Sequence, residues 1–188
     1  MAIAMTTGYS AQTEGALRCI EAASDWAIAC VDALPQQSAY TLIDYGAADG
    51  GTAVGLWNSV LDRLHERQPQ AHYTLVGNVL PSNDNLALAA NVALQLSRPP
   101  SPTVLVSCRS FYEPLMEPGS VSFGFTATAM HWLSQSAGAL DTHTHVQASG
   151  DAEALSRFTA QAMRDWNALL ELRSKEPVSY THLTLPTN

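Results

Sequence analysis

The chain has 188 residues, 46% of them apolar and 14% charged, with a formal charge of −8. That length suits one domain with a core large enough to fold alone, and the acidic balance argues against a nucleic-acid partner, because phosphate binding needs a basic surface. No apolar run approaches the roughly 18 residues needed to span a bilayer, so the composition fits a protein that takes a small-molecule partner and leaves a homodimer open.

Residues 10–33 carry Ala, Leu, Ile, Trp and Val at helical spacing, with Ser10 or Thr13 as cap and Pro35 as stop. Residues 40–45 read as a first strand and 53–66 as a helix. The β-prone run His72–Val79 reads as a second strand. A Pro-Ser-Asn-Asp turn then leads into a helix over about 84–97. Thr103–Cys108 reads as a third strand, 121–125 as a fourth, and 127–134 as a short helix. A long amphipathic helix follows over 151–173, with Leu155, Phe158, Ala162, Met163, Trp166, Leu169 and Leu170 on one face. Strands alternating with helices predict an α/β fold, a mostly parallel sheet with helices on both faces.

Cys19, Cys30 and Cys108 have no metal-ligand spacing and read as packing residues. Their odd number, without a signal peptide, points to reduced thiols in the cytoplasm. His143 and His145 have no third ligand nearby and read as a solvated loop, so no metal is expected.

The most informative segment is Tyr40-Thr-Leu-Ile-Asp-Tyr-Gly-Ala-Ala-Asp-Gly-Gly-Thr52. A strand ending near Asp44 passes through a glycine turn into a helix N-terminus, which offers free N–H groups. Gly46 lets the backbone approach a ligand that a Cβ would exclude. The pattern is G-x-x-x-G-G, so the G-x-G-x-x-G dinucleotide fingerprint is not met. An acid two positions before the first glycine resembles the habit of S-adenosylmethionine-dependent methyltransferases, where the carboxylate faces the cofactor's methionine end.

Five short motifs, in order, extend that likeness. They are Gly8-Tyr-Ser-Ala-Gln-Thr13, Ile43-Asp-Tyr-Gly-Ala-Ala-Asp-Gly50, Asn78-Val-Leu-Pro-Ser-Asn-Asp84, Ser110-Phe-Tyr112 and Thr126-Ala-Thr-Ala-Met-His-Trp-Leu-Ser134. With them the chain resembles the SABATH family of carboxyl methyltransferases, typified by salicylic acid carboxyl methyltransferase, and looks most like bacterial or metagenomic members. The resemblance covers about residues 8–176 and implies a Rossmann-like methyltransferase fold, S-adenosylmethionine as cofactor and a small carboxylic acid as substrate. It also implies roles. Tyr9 and Thr13 would lie over the cofactor. Asp44 and Gly46 would hold its methionine end, and Ser110 and Phe111 would bracket its adenine. Trp132 would donate its indole N–H to the substrate carboxylate, with His131 beside it. An ionised carboxylate needs no general base, so no catalytic residue is assigned.

The departures from the family pattern are equally specific. Val79 stands where the family has a ribose-binding Asp, so Asn78 or a water must substitute. Ala16 stands where a carboxylate-binding Gln is usual, Thr128 replaces an active-site Tyr, and Thr52 replaces an Asn. Phe111 and Trp132 read equally as core aromatics when their motif context is set aside. Residues 177–188 resemble a translated sequencing adapter and are expected to be a non-native tail. On that expectation residues 1–176 are the N-terminal part of a methyltransferase domain, an incomplete fold and a C-terminally truncated fragment. Two other readings stay open: another nucleotide-binding α/β enzyme such as a reductase, and a fragment that does nothing alone.

Overall fold

A computed structural model of the chain describes residues 8, 13–83, 85–96, 101–141 and 143–178. Tyr9, predicted to lie over a cofactor, falls outside the described residues. The elements are α1 (Glu14–Ala33), β1 (Ala39–Tyr45), α2 (Val54–Arg67), β2 (His72–Val79), α3 (Asn85–Gln95), β3 (Thr103–Cys108), β4 (Phe123–Phe125) and α4 (Ala152–Lys175), with a 3-10 turn at Val146–Ala148 before α4. The four strands pair in the order β3-β2-β1-β4, every pair parallel. No helix among the described residues is long and apolar enough to cross a membrane.

The pleat of β1 sorts its side chains onto two faces. Tyr40 and Leu42, with Tyr73 and Leu75 of β2, face a core closed by α1, α2 and α3. Trp57 of α2 is its largest fully buried side chain and sets its edge on Phe123 and Phe125, at centroid distances of 6.1 and 6.3 Å. Ile43, Tyr45 and Val76 face the other way, against Val121, Leu115 and Met116. There the C-terminal end of α4 closes the sheet through buried Glu176. Its Oε2 accepts from the Tyr45 hydroxyl at 2.9 Å, and its Oε1 accepts from Leu115 N and Met116 N. The Arg173 guanidinium donates to the same carboxylate and lies 4.6 Å from the Tyr45 ring centroid.

Several expectations are corrected. Residues 127–134 form turns, not a helix. Thr128 has φ 54°, a left-handed conformation that a helix cannot contain. Helix α4 is rotated from its predicted face: Ala154, Gln161, Asp165 and Leu169 are buried, whereas Met163 is 62% exposed and Leu155 and Trp166 are exposed too. Hydrogen bonding of Gln161 and Asp165 to the chain after β4 outweighs the apolar stripe in setting the rotation. Of the stretch expected to be a tail, Pro177 pairs with Val121 and Val178 N donates to Val121 O at 2.9 Å, while residues 179–188 lie outside the described residues. Cys19 and Cys108 are also exposed instead of packed.

Gly50 has φ +77°, and a Cβ there would meet Val92 Cγ2 at 2.5 Å and Leu88 Cδ1 at 2.7 Å. Two costs therefore add in Gly50→Ala: a left-handed backbone on a residue with a Cβ, and overpacking against α3. Each is of the order of 1–3 kcal/mol. Urea unfolding should show a clearly lower midpoint with an unchanged slope; an unchanged midpoint would show that α3 moves aside freely.

Candidate active site

The register of the sheet brings four strand ends to one rim. Tyr45 is level with Asn78, Asn78 with Ser107, and Asp44 with Phe125. The chain winds outward from β1 to β3 and then returns to the far side of β1, so its topology switches between β1 and β4. Open α/β sheets bind ligands at the carboxyl ends of the strands beside such a switch. A cavity of about 210 Å³ opens there. Its walls come from α1, the turn after β1, the end of β2 and the segments after β3 and β4.

Asp44 lines this cavity and is only 7% exposed. Its Oδ2 accepts the Trp57 indole N–H at 3.0 Å. Burial pushes its carboxyl up to about 6, and the Trp57 bond pulls the other way by less. Among the described residues no cation pairs with it. A buried carboxylate held by one neutral donor is costly to ionise, and a cation arriving from solution would relieve that cost.

Gly46 and Asn78 build the rim beside Asp44. Gly46 has φ +84°, and a Cβ there would sit 2.5 Å from the Ala129 Cβ and 3.7 Å from the Phe111 ring. The missing side chain therefore makes room for the protein's own wall. The carbonyl of Asn78 accepts from both Gly46 N and Ala47 N, at 3.1 and 2.9 Å. Its side-chain amide donates to the carbonyls of Ser107 and Arg109. Asn78 is fully buried and lies beneath the cavity instead of in its lining, while its Oδ1 has no partner among the described residues. These bonds make Asn78 a pin that ties β1, β2 and β3 together.

The other predicted residues divide in the same way. Ser110, Phe111, Thr128 and Trp132 all line the cavity, as do the departures Ala16, Thr52 and Val79. Ser110 Oγ accepts from Tyr112 N, and the Phe111 and Tyr112 rings pack at 4.7 Å. Trp132 is 42% exposed, so it is not a core aromatic, and its indole N–H makes no hydrogen bond among the described residues. His131 stands against it, ring centroids 5.1 Å apart, but is outside the lining. Thr13 occupies the N-cap position of α1, without a side-chain cap bond, and is also outside it.

Sequence reasoning gave no role to Arg109, Tyr112, Leu133 or Ser134, which line the cavity too. Tyr112 and Ser134 lie inside recognised motifs, which is the signal that could have found them. Arg109 lies immediately before one, and its Nη1 donates to Pro114 O at 3.3 Å. Among the described residues no group of three His, Cys, Asp or Glu side chains could hold a metal ion.

A family model described as SAM dependent carboxyl methyltransferase matches residues 10–187. Among solved structures the chain is similar to loganic acid methyltransferase with SAH, at TM-score 0.76 and 17% identity over 94% of this chain. That alignment takes in 56% of the other protein, so the chain spans little more than half of that relative's length. A protein of Methanococcus maripaludis assigned as an S-adenosyl-L-methionine-dependent methyltransferase aligns at TM-score 0.38 and 10% identity, over 91% of this chain and 80% of that one. No curated protein matches. The likeness at 0.76 shows the fold, a parallel α/β methyltransferase sheet.

The raised carboxyl of Asp44 has a consequence for stability. Its folded value lies above its ordinary 3.8, so the native state holds the proton more tightly than the unfolded chain does. Stability is therefore lost as pH rises from about 4 to about 6 and stays lost above that. Asp44→Asn keeps an acceptor for Trp57 and removes the charge. It should raise stability at pH 7 by an amount up to about 3 kcal/mol, with the gain shrinking toward pH 4. Denaturant titrations at several pH values read this directly; a variant less stable than wild type at pH 7 would contradict it.

Proposed function

Because the chain belongs to the SAM dependent carboxyl methyltransferase family, we propose that its cavity binds S-adenosylmethionine and directs methyl transfer to the carboxylate of a small organic acid, giving a methyl ester. The observation that carries this reading is Asp44, a buried carboxylate at the rim that no cation pairs with among the described residues. The cofactor's amino-acid end would supply that cation, and the Phe111 ring and Ser110 hydroxyl suit its adenine end. The ribose is less well served. Val79 closes β2 with an apolar side chain where a hydroxyl acceptor would be useful, so a polar group elsewhere or a water must take its place.

Bound S-adenosylmethionine would supply an activated methyl group together with its leaving group. The chain's residues then bind, orient and exclude water. Asp44 holds the ammonium end, fixed in turn by Trp57. Trp132 offers an unspent N–H at the cavity wall, suited to one oxygen of the acceptor carboxylate. Ala16, also in the lining, offers no second side-chain donor, so Trp132 carries more of the orientation. A hydroxyl or amine acceptor would need a base, and His131, the nearest candidate, stands outside the lining. That geometry favours a carboxylate. Loganic acid is the acid named for the structural neighbour; here only the carboxylate class is proposed.

Calorimetric titration with S-adenosylhomocysteine tests the cofactor half. Asp44→Asn should weaken binding by about 1.5–3 kcal/mol, as expected for losing a charge-assisted hydrogen bond, while stabilising the fold. In the wild type, affinity should fall as pH drops below about 6, by up to about tenfold per unit, because the protonated carboxyl cannot pair with an ammonium. A folded chain that does not bind the ligand, or an Asp44→Asn variant that binds it as tightly as wild type, would overturn the assignment.

The acceptor half is tested by Trp132→Phe, which keeps the ring surface and removes the donor. Methyl-ester formation on a carboxylic acid should drop by roughly tenfold or more, the effect of one hydrogen bond to a charged group. Cofactor affinity should be nearly unchanged. Undiminished ester formation would remove Trp132 from the acceptor site.

A further inference from the structure

Trp132 sits in a stretch with little backbone structure to hold it. Between Thr126 and Ser134 there is no helix, and among the described residues Trp132 N reaches only Ala129 O, at 3.1 Å. Packing behind it is also incomplete. Leu133 lines the main cavity on one side and a second cavity of about 40 Å³ on the other, shared with Trp166 and Leu169 of α4. A void has no partner atoms, so dispersion does not lock this segment from behind.

Hydrogen bonds from two other elements fill that role. The Tyr112 hydroxyl donates to the Trp132 carbonyl at 2.9 Å. One carboxylate, Asp165 of α4, accepts from both donors of Ser134: the backbone N–H at 2.8 Å on Oδ2 and the hydroxyl at 2.6 Å on Oδ1. Asp165 is 6% exposed and is held by Gln161 Nε2, which donates to Oδ1 at 2.7 Å. Gln161 is itself buried, and its Oε1 accepts from Gln135 and Arg164. Two-point attachment fixes the rotation of Ser134 as well as its position, and the bonds flank Leu133 on both sides.

We propose that Asp165 is a positioning residue, which through its paired bonds to Ser134 sets the orientation of the Trp132 indole at the cavity wall. The proposal rests on the reading of Trp132 as the acceptor's hydrogen-bond donor. It makes α4 part of the acceptor site although its Asp165 does not line the main cavity. A buried carboxylate held by neutral donors stabilises a fold poorly, and orientation is a use for which such groups are retained.

The test uses the 188-residue chain labelled with 5-fluorotryptophan and followed by fluorine NMR. The Trp132 line is assigned by its loss in Trp132→Phe, and Trp57 serves as the internal reference for an intact core. Asp165→Ala should broaden or shift the Trp132 line while Trp57 stays put. It should weaken benzoate binding about fivefold or more and change S-adenosylhomocysteine affinity less than twofold. Asp165→Asn, which keeps an acceptor for the Ser134 N–H, should restore most of the line shape. If Asp165→Ala does not fold, Ser134→Ala removes only the hydroxyl bond and should give an intermediate Trp132 shift. A Trp132 line unmoved in every variant that folds overturns the proposal and leaves the acceptor reading intact. A line that responds to Asp165 in a chain that never binds benzoate upholds the positioning role and defeats the acceptor reading.

Discussion

Asn78 is the constraint on which the rest of the site depends. Its carbonyl takes two N–H groups from the turn after β1, and its amide gives two bonds to carbonyls at the end of β3. Three strand ends are thereby held by one fully buried side chain and its own backbone. A buried amide of this kind is costly unless its groups are satisfied. Its carbonyl and its side-chain NH2 are each satisfied twice, so the turn that carries Gly46 cannot drift without breaking several bonds together.

On that fixed rim the molecule accepts an electrostatic cost at Asp44. One indole N–H does not offset the removal of a carboxylate from water, which is why the carboxyl is pushed up to about 6. A site built for stability alone would place an amide or an apolar residue there. The cost is instead available as binding energy for a cation, and stability and affinity for a positively charged ligand pull in opposite directions at this one atom pair.

The wall after β4 is organised differently. The segment after β4 has no regular hydrogen-bond ladder and is held by side chains from elsewhere: Thr126 Oγ1 to Tyr45 O, Tyr112 to Trp132 O, and Asp165 to Ser134. Lower down, Glu176 ties the same helix to Tyr45 and to the chain at Leu115. Helix α4 thus has two polar attachments, one setting the wall and one setting the helix against the sheet. Its Leu155, Met163 and Trp166 face outward as a result.

The sequence by itself determined the strands, the helices α1 to α4 within a few residues, the parallel α/β class and the cofactor turn. Those depend on local properties: β-branched runs, helical periodicity, proline stops and a glycine turn after an acid. Its motifs also located most of the lining, including Asp44, Ser110, Phe111 and Trp132, because those motifs cover the strand ends and the segments that follow them. Only the tertiary structure decided that Asn78 lies beneath the cavity and that Gly46 makes room for Ala129. It alone decided that 126–134 is not helical and that α4 buries Gln161 and Asp165 in place of its apolar stripe. Each of those outcomes turns on bonds between residues far apart in the chain, such as Ser134 with Asp165 or Tyr45 with Glu176. A hydrophobic period cannot register such bonds, because a buried polar side chain with its partners in place outweighs the propensity of the residues around it.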